Sequence, residues 1–455
     1  MVLRDLPYEI QCEIVSYLPK RILAILLDDI PPDHVLNAPV ASTIYRHVRV
    51  GVFYSANDGL EDPNTLKEIS IDELEKCAKG VYQARIHTLG VAYIEDEEDY
   101  SQLTRTLKSY PLFFKKIPNI RLFFNQGHYL AESVKKFPRI FGDNLSQLDA
   151  HFDDIEFLEL PKSLVSLRII IDVDDDFEEE EHVSLRFPKT LKKLILTGLW
   201  YDNWASNQLL PPNLEVLKAS GLTKFWEHYP LTIHTIEYAN GYITSFADFN
   251  LPDHLVELNL VGFGASGSPF VNASWPSNLK SLNLYRTPLM DFEGVKFPEM
   301  LESLNLHDTG IDCLKSAVFP KLLRSLILSD NWIRDLSGIT FPNLRFLCLD
   351  RCLLKSVSTI AFPDSLETLE MRAIKVKDWE KATLPLKLKV LKIFLRDTNI
   401  NLPPQLEELE VIYKRKTFLK AGLTLPPLLR KLIVKKERYY HYSWGREELL
   451  QNETT

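Results

Sequence analysis

The sequence predicts an α/β solenoid: a parallel sheet laid down one strand per repeat, with a small all-α block in front of it. Three observations carry this. Prolines lead units of about 22 residues through most of the chain, and Pro276, Pro298, Pro320 and Pro342 follow at intervals of 22. Inside the units leucines alternate at a spacing of two, as Leu326 and Leu328 do, which is the period of a strand with one buried face. Residues 3–19, LRDLPYEIQCEIVSYLP, break that pattern and instead place Leu6, Ile10, Ile14 and Leu18 four apart, a helical stripe.

The helical block spans residues 1–42. Pro7 fits only a first helical turn, Glu9 suits the positive end of the helix dipole, and Pro19 stops the helix. A second apolar run, Ile22 to Leu27, ends at DDIPPD (28–33), and a third short segment starts near Pro39. Three short helices are too small to fold securely alone, so the block needs a partner surface. Residues 43–115 are expected to cap the first edge of the array, with strand-like alternation at 44–53 and 84–94. Between them Ser70 and Glu73 form a capping box, and Gly80 closes that helix.

The repeats fill residues 116–436, with lead prolines from Pro161 to Pro426 and a looser upstream pair, Pro118 and Pro138. One unit reads LxxLxLxxNxL at Leu323, Leu326, Leu328, Asn331 and Ile333. A single unit cannot bury that apolar wedge, but stacked neighbours can, with their strands side by side. Thr287, Thr309 and Cys352 replace the asparagine elsewhere, which predicts a less regular loop ladder. The back of each unit has only about ten residues, ending in Phe-Pro or Leu-Pro. That length predicts extended or single-turn segments, with Phe or Leu turned inward and Pro restarting the unit. The tail, 437–455, is expected to cover part of the last edge.

A net charge of −9 argues against nucleic acid as a partner, and no apolar run reaches the ~18 residues of a membrane span. Five cysteines, Cys12, Cys77, Cys313, Cys348 and Cys352, suit a reducing compartment, and the chain is read as cytoplasmic or nuclear. With no phosphate loop, no HExxH and no paired CxxC, no enzyme, metal or cofactor is expected, and Cys348 and Cys352 read as small core or surface cysteines. The acidic run 172–182 lacks the Gly and Glu of a calcium loop and reads as a solvated insertion or a contact for a basic partner. Nine basic residues against Glu437 between 411 and 440 suggest either an anion site or protection of the last strand edge.

Binding is expected on the open concave face, where alternate strand positions escape the core. Tyr285, His307, Asp350 and Arg372 fall in one such column, with Arg286, Asp308 and Arg351 at the strand exits and Trp332 in the asparagine loop.

The LxxLxLxxNxL units resemble leucine-rich repeats over about three quarters of the chain, and the Pro-led form is similar to the FNIP repeat variant. LPYEIQCEIVSYLP resembles the first half of the F-box, L-P-x-E-[IL]-x-x-x-[IL]-x-x-x-L, at Leu6, Pro7, Glu9, Ile10, Ile14 and Leu18. Where that family ends in V-C-[KR]-x-[WF], this chain has APVASTIYRHVRV (38–50). The resemblance implies that Leu6, Pro7, Ile10, Ile14 and Leu18 dock on the adaptor of an SCF ubiquitin ligase, and through it on a cullin. The chain would then be the substrate receptor, holding an unidentified protein on the repeats. The alternative is a leucine-rich-repeat scaffold or enzyme regulator whose helices merely cap the array. The two readings differ in whether Leu6, Pro7, Ile10 and Ile14 are exposed or buried on the first repeats.

Overall fold

A computed structural model describes residues 6–31, 34, 36–51, 66–91, 97–123, 141–151, 160–170, 186–198, 209–221, 225–243, 245–246, 249–265, 269–290, 292–395, 400–413 and 424–436. The acidic run 172–182, Pro138 and the tail 437–455 lie outside the described residues. The chain forms two compact units, Met1–Tyr242 with Asp248–Leu255, and Ile243–Ala247 with Val256–Thr455.

The first unit opens with α1 (Tyr8–Ser16), α2 (Lys20–Asp29) and α3 (Asn37–Ile44). Pro7 and Pro19 occupy the N-cap positions of α1 and α2, where a missing N–H costs nothing. Val15, Leu23 and Leu27 turn inward with Val40 and Ala41, and the Tyr8 hydroxyl bonds Ser42. β1 (His47–Val50), β2 (Lys67–Glu68), α4 (Ile71–Ala78), β3 (Thr88–Val91), α5 (Glu97–Ser109), α6 (Pro111–Phe114) and β4 (Asn119–Phe123) follow. Ser70 and Glu73 form the expected capping box on α4. The sheet continues through β5 (Leu145–His151), β6 (Ser166–Ile170), β7 (Lys193–Thr197), β8 (Val216–Ser220) and β9 (Thr235–Ala239). All pairings are parallel, in the order β2-β1-β3 and then sequentially from β3 to β9. The segments expected at the first edge therefore lie in the sheet itself.

The second unit is a more regular stack: β10 (Glu257–Val261), β11 (Ser281–Asn283), β12 (Ser303–Asn305), β13 (Ser325–Ile327), β14 (Phe346–Cys348), β15 (Thr368–Met371), β16 (Val390–Leu395), β17 (Glu408–Tyr413) and β18 (Lys431–Lys436). Every strand pairs in parallel with the next, and the register sets Leu258, Leu282, Leu304, Leu326, Leu347, Leu369, Leu391, Leu409 and Leu432 side by side. From Leu258 to Leu409 these rungs are at most 1% exposed, whereas Leu432 on the last described strand is 46% exposed.

The back of each unit is short, as its length requires. Pro298, Pro320, Pro363 and Pro385 each accept from the amide three residues on at 3.0–3.2 Å, a single turn that delivers a leucine into the core. Behind the sheet Phe297 and Phe341 are buried, and the rings of Phe292, Phe319 and Phe341 follow one another at 5.9 and 6.2 Å.

Asn331 ties two repeats together. Its amide donates to the carbonyls of Leu306 (2.7 Å) and Leu328 (3.0 Å), and its oxygen accepts from the amides of Thr309 (3.2 Å) and Ile311 (3.0 Å). The replacements do less at the same position. The Thr287 hydroxyl donates to Leu260 and accepts from the Phe263 amide, while the Cys352 thiol donates only to Leu328, at 3.2 Å. Removing the Asn331 side chain strands buried backbone groups, so Asn331→Ala is expected to cost about 3 kcal/mol. Trp332→Ala, one residue on and 60% exposed, is expected to stay within about 0.5 kcal/mol of wild type. Urea unfolding of the two variants checks the difference.

Candidate functional site

Parallel register carries the outward positions of β11–β15 into one column, and the strand exits into a second. At each exit the chain turns through a left-handed residue. Gly262 takes this place after β10, but Arg286, Asp308, Asp330, Arg351 and Ala373 take it after β11–β15 with φ of 53–59°. For a residue with a Cβ that conformation costs about 1 kcal/mol, less for aspartate. It keeps the amide ladder running, because Arg286, Asp308, Asp330 and Arg351 donate to His307, Ser329, Asp350 and Arg372 carbonyls at 2.9–3.0 Å. The outcome is a row of charged side chains held at fixed spacing beside the column.

Tyr285 and His307 stack with ring centroids 4.8 Å apart and planes within 10°. Arg286 lies over the Tyr285 ring at 5.1 Å and pairs with Asp308 at 3.4 Å. The His307 Nδ1 meets the Ser329 hydroxyl at 2.6 Å and Asp330 at 3.3 Å, and Asp330 also takes a two-bond contact from Arg351. Burial holds the His307 imidazole below its ordinary value, with Arg351 adding to the effect and Asp330 opposing it. These residues form one partly exposed patch, aromatic at its centre and charged at its rim, which suits a protein partner.

Arg372 stands differently. Its guanidinium bonds Asp350 at 2.6 Å, Glu370 at 2.8 Å and Glu410 at 3.4 Å, and its amide donates to Asp350 as well. Burial raises the Asp350 carboxyl against the pull of Arg372, while Glu410 is held low by Lys435 and Arg372 in spite of its burial. Cys348, Asp350 and Glu370 bring donor atoms within 4.8 Å of one another, a spacing a metal ion could use. Arg372 already supplies the positive charge to both carboxylates. Burial pushes the Cys348 and Cys352 thiols up to about 11 and about 12, away from the thiolate a metal needs. Trp332 stands apart as an exposed indole on the Asn331 loop.

The open face is narrower than the repeat pattern implies. Outward positions Phe123, Gln147, Asp149, Arg168 and Ile195 of β4–β7 are all buried, and Asp149 faces Arg168 at 3.6 Å. These positions are therefore closed to water, while Arg121, Ser166, Lys193 and Thr197 on the same strands stay half-buried. The late basic stretch is neutralised where it is described: Arg430, Lys431 and Lys435 pair with Glu407, Glu408 and Glu410 on the neighbouring strand at 2.9–3.4 Å. In the helical block Leu6 is half-buried and Pro7 exposed. Ile10, Ile14, Leu18, Ile22 and Ile25 are 38–50% exposed, and Tyr17 80%. Sequence reasoning had singled out the 6-10-14-18 stripe but not Tyr17, Ile22 or Ile25 as its continuation.

No family model and no curated protein matches this chain. Among solved structures it is similar to CroV588, a novel circular LRR protein, at 17% identity over 72% of this chain, with a TM-score of 0.43. The chain spans 58% of that protein's length. It is also similar to the Toll–Spatzle complex of Drosophila (14% identity, 80% of this chain and 62% of that one, TM-score 0.39). A third is an internalin of Listeria monocytogenes (12% identity, 90% and 92%, TM-score 0.28). The parallel β-solenoid rests on this chain's own register and repeated motif. Among the described residues no helix is long and apolar enough to cross a membrane.

His307 titrates lower in the folded chain than its usual 6.5, so the unfolded chain takes up the proton first as pH falls. The stabilisation from the neutral ring is therefore complete above about pH 6.5 and is lost below it. Denaturant midpoints between pH 7.5 and 5 are expected to fall more steeply for wild type than for His307→Gln.

Proposed function

We propose that this chain is the substrate-recognition subunit of an SCF-type E3 ubiquitin ligase. The observation that carries the reading is the apolar surface left uncovered on α1 and α2: Ile10, Ile14, Tyr17, Leu18, Ile22 and Ile25. A soluble chain rarely leaves so many large apolar side chains together in water unless another protein covers them. A helical cap would turn the same stripe onto the first strands, so its exposure favours docking over capping. Three of these, Ile10, Ile14 and Leu18, are positions at which the opening segment resembles the F-box, and α3 forms a helix although the usual second-half motif is missing. In this reading α1 and α2 hold the ligase adaptor, which brings the cullin, in the cytoplasm or nucleus.

The patch around Tyr285, His307, Arg286, Asp308, Asp330 and Arg351 holds the protein to be ubiquitylated. The chain contributes no catalytic residue; it raises the concentration of substrate beside the transferred ubiquitin.

Pull-down of the SCF adaptor by the full chain tests this. Wild type is expected to retain the adaptor, and Ile10→Ala/Ile14→Ala to lose at least tenfold in affinity with an unchanged melting temperature, since both side chains face solvent. Failure of the intact wild-type chain to bind the adaptor contradicts the proposal.

A further inference from the structure

Between the helical block and the first strands lies a groove of about 1490 Å³, bordered by α1, the chain entering β1 and β3, and the turn after α6. Among the described residues its cations are Arg46, Lys67, Arg85 and Lys116, with His47 and His87, against Glu13 as the one acidic lining residue. The protein as a whole carries −9, so this is a local reversal of sign. Neighbouring cations are answered within the fold: Arg49 pairs with Glu68 and Lys79 with Glu75, each at 2.7 Å. Among the described residues no carboxylate forms an ion pair with Arg46, Lys67, Arg85 or Lys116.

Two of these cations are positioned without being neutralised. Arg85 lies over the Tyr8 ring at 4.1 Å and Lys67 over the Tyr45 ring at 4.5 Å. The ring of His47 meets that of His87 edge-on at 5.4 Å, and its titration is shifted down by burial, then by His87, Arg46 and Arg121. The field inside the groove is thus positive. Leu18, Leu66, Ile86 and Ile117 line it as well. The volume exceeds the several hundred Å³ typical of a small-ligand pocket. A mixed wall of that size suits a chain that alternates charged and apolar side chains better than a lone ion. A long polyanion such as nucleic acid would meet the acidic remainder of the surface.

We propose that this groove docks a peptide segment of a partner protein bearing clustered anionic side chains, carboxylates or phosphates. The groove shares Leu18 with the exposed apolar stripe of α1–α2 but takes in none of Ile10, Ile14, Tyr17, Ile22 and Ile25, and no residue of the Tyr285–His307 patch.

Fluorescence anisotropy with the full chain tests it, using a fluorescein-labelled EELEELEEL peptide, its counterpart with phosphoserine for glutamate, and its lysine counterpart. At least one anionic peptide is expected to bind, more weakly as salt rises, and the lysine peptide not to bind. Binding of the phosphoserine peptide alone identifies phosphate as the group recognised; binding of the glutamate peptide identifies carboxylate. Arg46→Glu/Lys116→Glu is expected to weaken binding at least tenfold with an unchanged melting temperature. The milder Arg46→Gln/Lys116→Gln should give the same ranking at smaller amplitude if the reversed pair folds poorly. Lys321→Glu/Lys377→Glu, on exposed residues of the second unit, should bind as wild type does. Absence of anionic-peptide binding by wild type, or equal weakening in the control variant, overturns the proposal.

Discussion

A core leucine of this chain is buried only if the next strand stands beside it. The rungs from Leu258 to Leu409 are closed to water, while Leu432, with no described strand beyond it, is nearly half exposed. Fully burying such a side chain is worth about 2 kcal/mol, and the gain recurs once per unit. No repeat can collect it alone, so neighbours must adopt one register. Everything else in the stack inherits that register, including the proline turns and the asparagine, threonine and cysteine contacts behind the strand exits.

Register also determines which polar side chains meet. Equivalent positions of successive units lie side by side, so alternation of charge from unit to unit becomes a row of ion pairs. Lys280 meets Glu302, Arg345 and Lys389 share Glu367, and Glu407 meets Arg430. Each exposed pair contributes little by itself. Together they penalise a slipped register, which would bring like charges together. The same rule produces the stacked Tyr285 and His307 and the enclosure of Arg372 by three carboxylates. One column thus contains an accessible patch at Tyr285–His307 and, two strands on, a self-satisfied ionic cluster.

Much of this was legible beforehand, because the repeat is written in spacing. The prolines gave the unit, the alternating leucines gave the strand and its buried face, and Ser70 with Glu73 marked the start of α4. The candidate column was legible for the same reason, since strand alternation assigns Tyr285, His307, Asp350 and Arg372 to one face. What escaped were properties that depend on neighbours. Arg372 looked available until Asp350, Glu370 and Glu410 were seen around it, although aligning the units places Asp350 in the same column and Glu370 and Glu410 in the adjacent one. Burial of Phe123, Asp149, Arg168 and Ile195 was invisible in a pattern that treats every outward position as solvated. The left-handed exits at Arg286 and Arg351 were hidden because glycine, the usual signal, appears only in other repeats, as at Gly262. In the helical block the stripe was plain but its direction was not, because α1 and α2 carry apolar side chains on two faces.

The central claim is that the outward face of α1–α2 is a protein-docking surface separate from the repeats. Hydrogen exchange read by mass spectrometry, on the full chain with and without the SCF adaptor, tests it most directly. The account predicts added protection within residues 8–29 and unchanged exchange across the strands of the second unit. Protection that falls on those strands, or no change anywhere at saturating adaptor, contradicts it.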